Sequence, residues 1–145
     1  MQRRPTRTAL VLSVLLAGLA FSACFPPPPP AGVNLAFVGG PTNFTVSATT
    51  PTPLVGGSLV FQNVGGVASG TVTESLVNVT GFGTFGITPT GVDCDHKTLA
   101  PNGTTCAVLV TYQSTGLPGT GTATLRVTDG VVTVDVALAG TIIPD

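Results

Sequence analysis

Few side chains in this chain have the types and spacing to do chemistry. The densest polar cluster is Asp93-Cys94-Asp95-His96-Lys97, which holds the sole histidine. Asp93, Asp95 and His96 are the residue types of a small cation site. Two short carboxylates and one imidazole fall short of the about six to eight oxygens of a calcium cage. No second Cys/His pair stands near enough to complete a zinc site. The expectation is a solvated loop whose Asp and His satisfy turn amides, with no metal and no other cofactor. Ser114, His96 and Asp95 supply the types of a hydrolytic triad, but no G-x-S-x-G turn presents Ser114 as a nucleophile. Glu74 is the only glutamate, and no paired carboxylates stand out. No catalytic residue is therefore assigned, and the chain is not expected to be an enzyme. Carbohydrate recognition needs aromatic platforms. There is no Trp, and the single Tyr, Tyr112, alternates with Val108 and Val110 on a core-facing pattern.

The remaining chemistry is that of three cysteines, Cys24, Cys94 and Cys106. Arg3, Arg4 and Arg7 precede an apolar run from Ala9 to Ala20, followed by Phe21-Ser22-Ala23-Cys24. A basic head, a short apolar core and small residues before a cleavage point make a secretory signal peptide. The run is too short for a transmembrane helix, which takes about 20 apolar residues. Cys24 directly after Ser22-Ala23 resembles a bacterial lipobox, in which the cysteine becomes the lipidated first residue. Phe21 stands where lipoboxes carry an aliphatic side chain, so ordinary cleavage after Ala20 is the alternative. Two or more acyl chains, palmitate among them, at ~0.8 kcal/mol per buried CH₂ give stable anchoring where one chain is marginal.

Past the leader, Lys97 and Arg126 stand against Glu74, Asp93, Asp95, Asp129, Asp135 and Asp145, a net charge of −4. Nucleic acid is excluded as a partner, because binding phosphates needs a basic footprint. With Cys24 assigned to lipid, Cys94 and Cys106 remain as a pair. An exported domain meets an oxidising compartment, so a disulfide is expected. Two reduced thiols or a metal pair are the alternatives. Closing a loop of about a dozen residues stabilises by ~3 kcal/mol in the chain-entropy model.

The elements that position these residues read as strands. Val and Thr are frequent and fit a pleated surface. Pro26 to Pro30 are expected to form a polyproline II spacer of roughly 15 Å at ~3.1 Å per residue. Val33-Leu35-Phe37 and Phe44-Val46-Ala48 alternate as first strands. Pro41, Pro51 and Pro53 mark them as edges and loops. Gly57 to Gln62 is the next strand, then Val72 to Thr80. In the latter, Val72 and Leu76 share one parity and Val77 and Val79 the other, so a bulge is expected near Glu74-Ser75. Phe85 and Ile87 precede the Cys94 loop. Cys106-Val108-Val110-Tyr112, Ala123-Leu125-Val127 and Val132-Val134-Val136-Leu138 alternate cleanly. Asp129-Gly130 predicts a two-residue hairpin pairing Val127 with Val132 and Leu125 with Val134, with Arg126 diagonal to Asp135. Seven or eight short strands predict a β-sandwich. Phe82 and Leu117 are apolar loop residues, read as tucked over the end of the sandwich rather than as partner contacts. Three Asn-x-Thr sequons, at Asn43, Asn78 and Asn102, are read as idle.

From Asn63-Val64-Gly65 onward the chain resembles the immunoglobulin-like ASH/MSP-type domains, of the choice-of-anchor D kind found in bacterial surface proteins. The matching pieces are Gly83-Thr84-Phe85-Gly86-Ile87-Thr88, Cys94, Thr98-Leu99-Ala100-Pro101-Asn102-Gly103-Thr104-Thr105-Cys106, Val108 to Tyr112, Gly119 to Leu125 and Leu138-Ala139-Gly140-Thr141. The resemblance implies an all-β, Ig-like antiparallel sandwich of seven or eight strands, without catalytic residues. The organisation expected is a lipoprotein signal peptide over 1–23, a lipidated cysteine and polyproline linker over 24–32, and the Ig-like domain over 33–143. Such a chain is exported, held to the bacterial cell-envelope membrane through Cys24, and acts as a structural or protein-interaction module with an envelope protein partner. Strand addition to a sheet edge is the binding mode considered. The alternative function is an extracytoplasmic ligand-binding protein for carbohydrate or a cation.

Overall fold

Alternating apolar residues set the strands. The computed structural model describes residues 32–48, 54–91 and 93–145. The leader, Cys24 and the proline run lie outside the described residues. Eight strands form among the described residues: β1 (Leu35–Gly39), β2 (Asn43–Ser47), β3 (Leu54–Asn63), β4 (Thr73–Gly81), β5 (Thr84–Thr88), β6 (Thr105–Gln113), β7 (Gly119–Thr128) and β8 (Thr133–Ile143). They make two four-stranded sheets, β1-β3-β6-β5 and β2-β8-β7-β4. This is the constant-type immunoglobulin strand order, with the first strand divided between both sheets. β1 pairs antiparallel with β3, and β2 pairs parallel with β8. The crossing falls at Gly39-Gly40-Pro41. Proline has no amide to continue a ladder. Gly40, at φ +133°, passes so close to β3 that a Cβ there would lie 2.4 Å from the Ser58 carbonyl oxygen.

The inward positions form one core. Leu59 and Phe61 of β3 and Val108, Val110 and Tyr112 of β6 meet Leu125 and Val127 of β7 and Leu138 and Ile142 of β8. All are at most 2% exposed. Each such side chain contributes ~1.5–3 kcal/mol relative to exposure. Aromatic rings join the layers at one end. Phe85 lies 4.6 Å from Tyr112 and 6.1 Å from Phe44, centroid to centroid. Phe44 belongs to the opposite sheet. The Tyr112 hydroxyl donates to the Phe82 carbonyl at 2.7 Å. Its ring rests on Gly140 of β8, where a Cβ would sit 2.2 Å from Cζ.

Three local expectations are corrected. β3 starts at Leu54, three residues before Gly57, and pairs with β6 from Leu54 to Gln62. The bulge of β4 lies between Val77 and Thr80, not at Glu74-Ser75. Asn78 carries it at φ 53°, a left-handed conformation that asparagine tolerates. Glu74 keeps the phase of Val72 and Leu76 and points inward opposite Val127. The β7–β8 connection has four residues, not two. Thr128 pairs with Thr133, Val127 with Val134 and Leu125 with Val136. A type I′ turn needs φ > 0 at both central residues, and here Gly130 has it but Asp129 does not. Asp129 instead accepts the Val131 and Val132 amides at 3.0 and 2.7 Å and shapes a longer loop. The shift sets Arg126 directly opposite Asp135 in a bidentate pair at 2.8 and 2.7 Å. Both side chains are 43% exposed, so solvent screens the pair and it adds little to stability.

Candidate functional site

The polar residues gather at the base of the sandwich, where the chain enters. The loop after β5 runs beside the segment before β4: Ser69 N–H donates to Leu99, Val72 N–H to Lys97, and His96 N–H to Val72. The Cys94–Cys106 disulfide ties this loop to β6, with Cα atoms 4.9 Å apart. Both cysteines are buried. Changing Cys94 and Cys106 together to alanine is expected to lower unfolding stability by about 3 kcal/mol, read as a lower urea midpoint. A loss under ~1 kcal/mol would show that the loop is held by its hydrogen bonds instead.

Asn63 knits the base together. It is fully buried. Its Oδ1 accepts the Gly65 amide at 3.0 Å and the Asn34 amide at 3.4 Å. Its Nδ2 donates to the Val67 and Leu99 carbonyls at 2.8 and 3.0 Å. Asp129 is the second buried hub. Beyond its own loop it accepts the Gly70 amide at 3.2 Å. Burial opposes its ionisation, but the amides of Val132, Val131 and Gly70 outweigh that and hold the carboxyl below its ordinary range.

The Asp93–Lys97 cluster spends its polar groups internally. The Asp93 carboxylate accepts from the Thr90 hydroxyl at 2.6 Å and from the Thr90 amide. The hydroxyl bond, above all, lowers its pKa. Asp95 Oδ2 meets His96 Nδ1 at 2.7 Å, with the imidazole 81% exposed. Among the described residues no group of three His, Cys, Asp or Glu side chains is placed to hold a metal ion.

Glu74 is the functional-looking residue that the sequence did not single out. Its inward side chain approaches this loop, and its Oε2 is buried with no hydrogen-bond partner. Burial first, then the charges of Asp95 and Asp93, push its pKa up to about 7. A carboxyl whose folded pKa exceeds its unfolded value binds a proton on folding. Its contribution is complete below the ordinary carboxyl value of 4.5 and fades as pH rises toward about 7. Glu74→Gln is expected to flatten this slope and to raise stability at pH 7.5 by about 1 kcal/mol, allowing for solvent screening. Melting curves from pH 4 to 8 provide the check, and an unchanged slope would exclude Glu74 as its source.

Ser114 is far from these groups. It follows β6, whose other end carries Cys106, so about eight residue steps of ~3.3 Å separate it from the Asp95-His96 loop. Its Oγ accepts the Gly116 amide at 3.0 Å. Tyr112 is core, as its alternation predicts. Phe82 lays one side of its ring on Gly119 and is 47% exposed, whereas Leu117 projects at 61% exposure and is not tucked over the end. The outer face of β2-β8-β7-β4 carries a shallow concavity of ≈ 440 Å³. Ala137 and Ala139 line it with Asn43, Asn78, Thr122 and Thr124. The edges offer little to strand addition. β1, β2 and β5 have five residues each, and the longer β4 is broken by its bulge. Short or bulged edges discourage pairing with another chain.

No protein-family model matches the chain, and no curated protein matches it in sequence. Among solved structures, it is similar to the ASH/PapD-like domain of human CEP192 (PapD-like domain 7), with a TM-score of 0.48 and 14% identity over 97% of this chain and 99% of that one.

Proposed function

We propose that this chain is an exported cell-envelope lipoprotein whose single Ig-like sandwich is a structural or protein-interaction module without catalytic activity. The resemblance to choice-of-anchor D-like domains of bacterial surface proteins fits this reading. The observation that carries it is how the polar groups are used. Asp93 is turned to Thr90, Asp95 to His96, Asp129 to three backbone amides and Tyr112 to the Phe82 carbonyl. Each is spent on the fold, leaving broad sheet faces as the means of contact.

The anchor has a direct test. Cys24→Ala is expected to move the protein from the membrane to the soluble extracytoplasmic fraction and to abolish labelling by radioactive palmitate. Continued membrane association would overturn lipidation at Cys24.

The concavity beside Asn43 and Asn78 favours a second reading, capture of a neutral polar ligand such as a carbohydrate. Its lining has hydroxyl and amide groups but no aromatic platform and no charge. A rise in melting temperature with a soluble glycan at micromolar concentration would put this reading first.

A further inference from the structure

Beside the base loop sits a carboxyl with no partner. Among the described residues, Glu74 Oε2 is the one buried side-chain oxygen or nitrogen without a hydrogen bond. A buried acceptor left unsatisfied is costly, and more so once it is charged. Its surroundings offer no relief. On β7 it is opposite Val127, and β5 carries no titratable side chain. Arg126 is opposite Ser75 and is taken by Asp135. Asp129 is taken by the amides of Gly70, Val131 and Val132. The base loop brings Asp93 and Asp95, whose charges both act on Glu74. Its His96 meets Asp95, and its Lys97 ammonium reaches the Gly91 carbonyl at 3.5 Å. Among the described residues no cation pairs with Glu74, so a proton is what keeps it neutral.

The seam between this loop and the run before β4 is short. Val72 gives its amide to Lys97 and takes the His96 amide, both at 2.8 Å, and Thr71 bridges to Thr98. The flanks of the seam are fixed. Cys94 is bonded to Cys106, and the Leu99 carbonyl takes both the Ser69 amide and Asn63 Nδ2. Between these fixed points only Asp95 to Thr98 can lift. That stretch is itself strained, because His96 sits at φ 58°, a left-handed conformation uncommon outside glycine. The geometry points to a proton-operated latch: Asp95 to Thr98 lies closed on Val72 while Glu74 is protonated, and lifts when Glu74 ionises against Asp93 and Asp95. The closed form keeps the proton up to about pH 7, whereas the freed carboxyl releases it near its ordinary value of 4.5. The latch is therefore fully closed below about 4.5 and weakens as pH rises toward about 7. Opening frees the amide and carbonyl of Val72 beside β4, an outer strand of its sheet. Those are the groups to which an added strand would bond.

Amide hydrogen exchange on the exported full chain carrying Cys24→Ala reads the latch residue by residue. From about pH 5 to 8, protection of the Val72 and His96 amides, corrected for intrinsic exchange, is expected to fall about tenfold, allowing for solvent screening. The Ser69 amide, bonded to Leu99 outside the latch, should hold its protection. Glu74→Gln should remove the fall and keep both latch amides protected throughout. Asp95→Asn removes the larger of the two facing charges and should shrink the fall; it serves if Glu74→Gln does not melt cooperatively. His96→Gln should leave the fall in place, because the imidazole is 81% exposed. Latch amides whose protection does not change with pH overturn the proposal. So does a Ser69 amide that loses protection in step with them, since the whole base then opens. A folded Glu74→Gln protein that keeps the fall, or a His96→Gln protein that loses it, also overturns it.

Discussion

Gly140→Ala is expected to destabilise the domain by about 3 kcal/mol, at the upper end for an overpacked core. The added carbon would lie 2.2, 2.4 and 2.6 Å from three ring atoms of Tyr112. The ring cannot withdraw cheaply. Phe85 stacks on it at 4.6 Å, and its hydroxyl is fixed to the Phe82 carbonyl at 2.7 Å. Moving it would part the two sheets or leave a buried hydroxyl unpaired. Urea unfolding provides the measurement. A double variant, Gly140→Ala with Tyr112→Leu, should cost less than the sum of the single changes, since the smaller side chain vacates the space. A single-variant loss below ~0.5 kcal/mol would mean that Tyr112 does not rest on Gly140.

Asn63→Leu should be of similar size, about 3 kcal/mol, although the side chain keeps its volume. Leucine cannot accept the Gly65 amide or donate to the Val67 carbonyl, and both groups stay at the base. A buried donor or acceptor stripped of its partner costs about 1–3 kcal/mol. The Leu99 carbonyl suffers less, because it still accepts the Ser69 amide at 2.9 Å. Hydrogen exchange separates this loss from a packing effect. The Gly65 amide should lose its protection at temperatures where the β6–β7 core still holds. Equal protection in both proteins would rule out Asn63 as the keystone of the base.

Much of the architecture was legible because burial in a sheet has period two. Cys106 to Tyr112 and Ala123 to Val127 show that period without interruption, and both became central strands. The disulfide followed from counting cysteines on the expectation of export, and Cys94 and Cys106 are joined. What failed depends on side chains that act on the backbone. Asp129-Gly130 resembles a tight hairpin until the Asp129 carboxylate takes two amides and lengthens the loop, which moves the register by two. In β4, the parities of Val72 and Leu76 against Val77 and Val79 show that the phase changes but not where, and the left-handed Asn78 puts the change after Val77 instead of at Glu74-Ser75. Asn63 left a usable signal. It continues the inward phase of Leu59 and Phe61, and a polar residue there, two before a glycine, announces a buried hub. The base loop was rightly expected to satisfy turn amides, as Asp93 does with Thr90. Its approach to Glu74 required the fold, because β4 and that loop are remote in sequence.

The divided first strand also sets how the domain answers to tension. Traction between its two ends runs into β2 from one side and out of β8 from the other. These strands are parallel neighbours, paired from Asn43↔Ala139 to Ser47↔Ile143. Pulled in opposite directions, they slide, so every rung of the ladder is strained at once instead of opening like a zipper. A domain loaded in this way resists up to a threshold and then gives way abruptly.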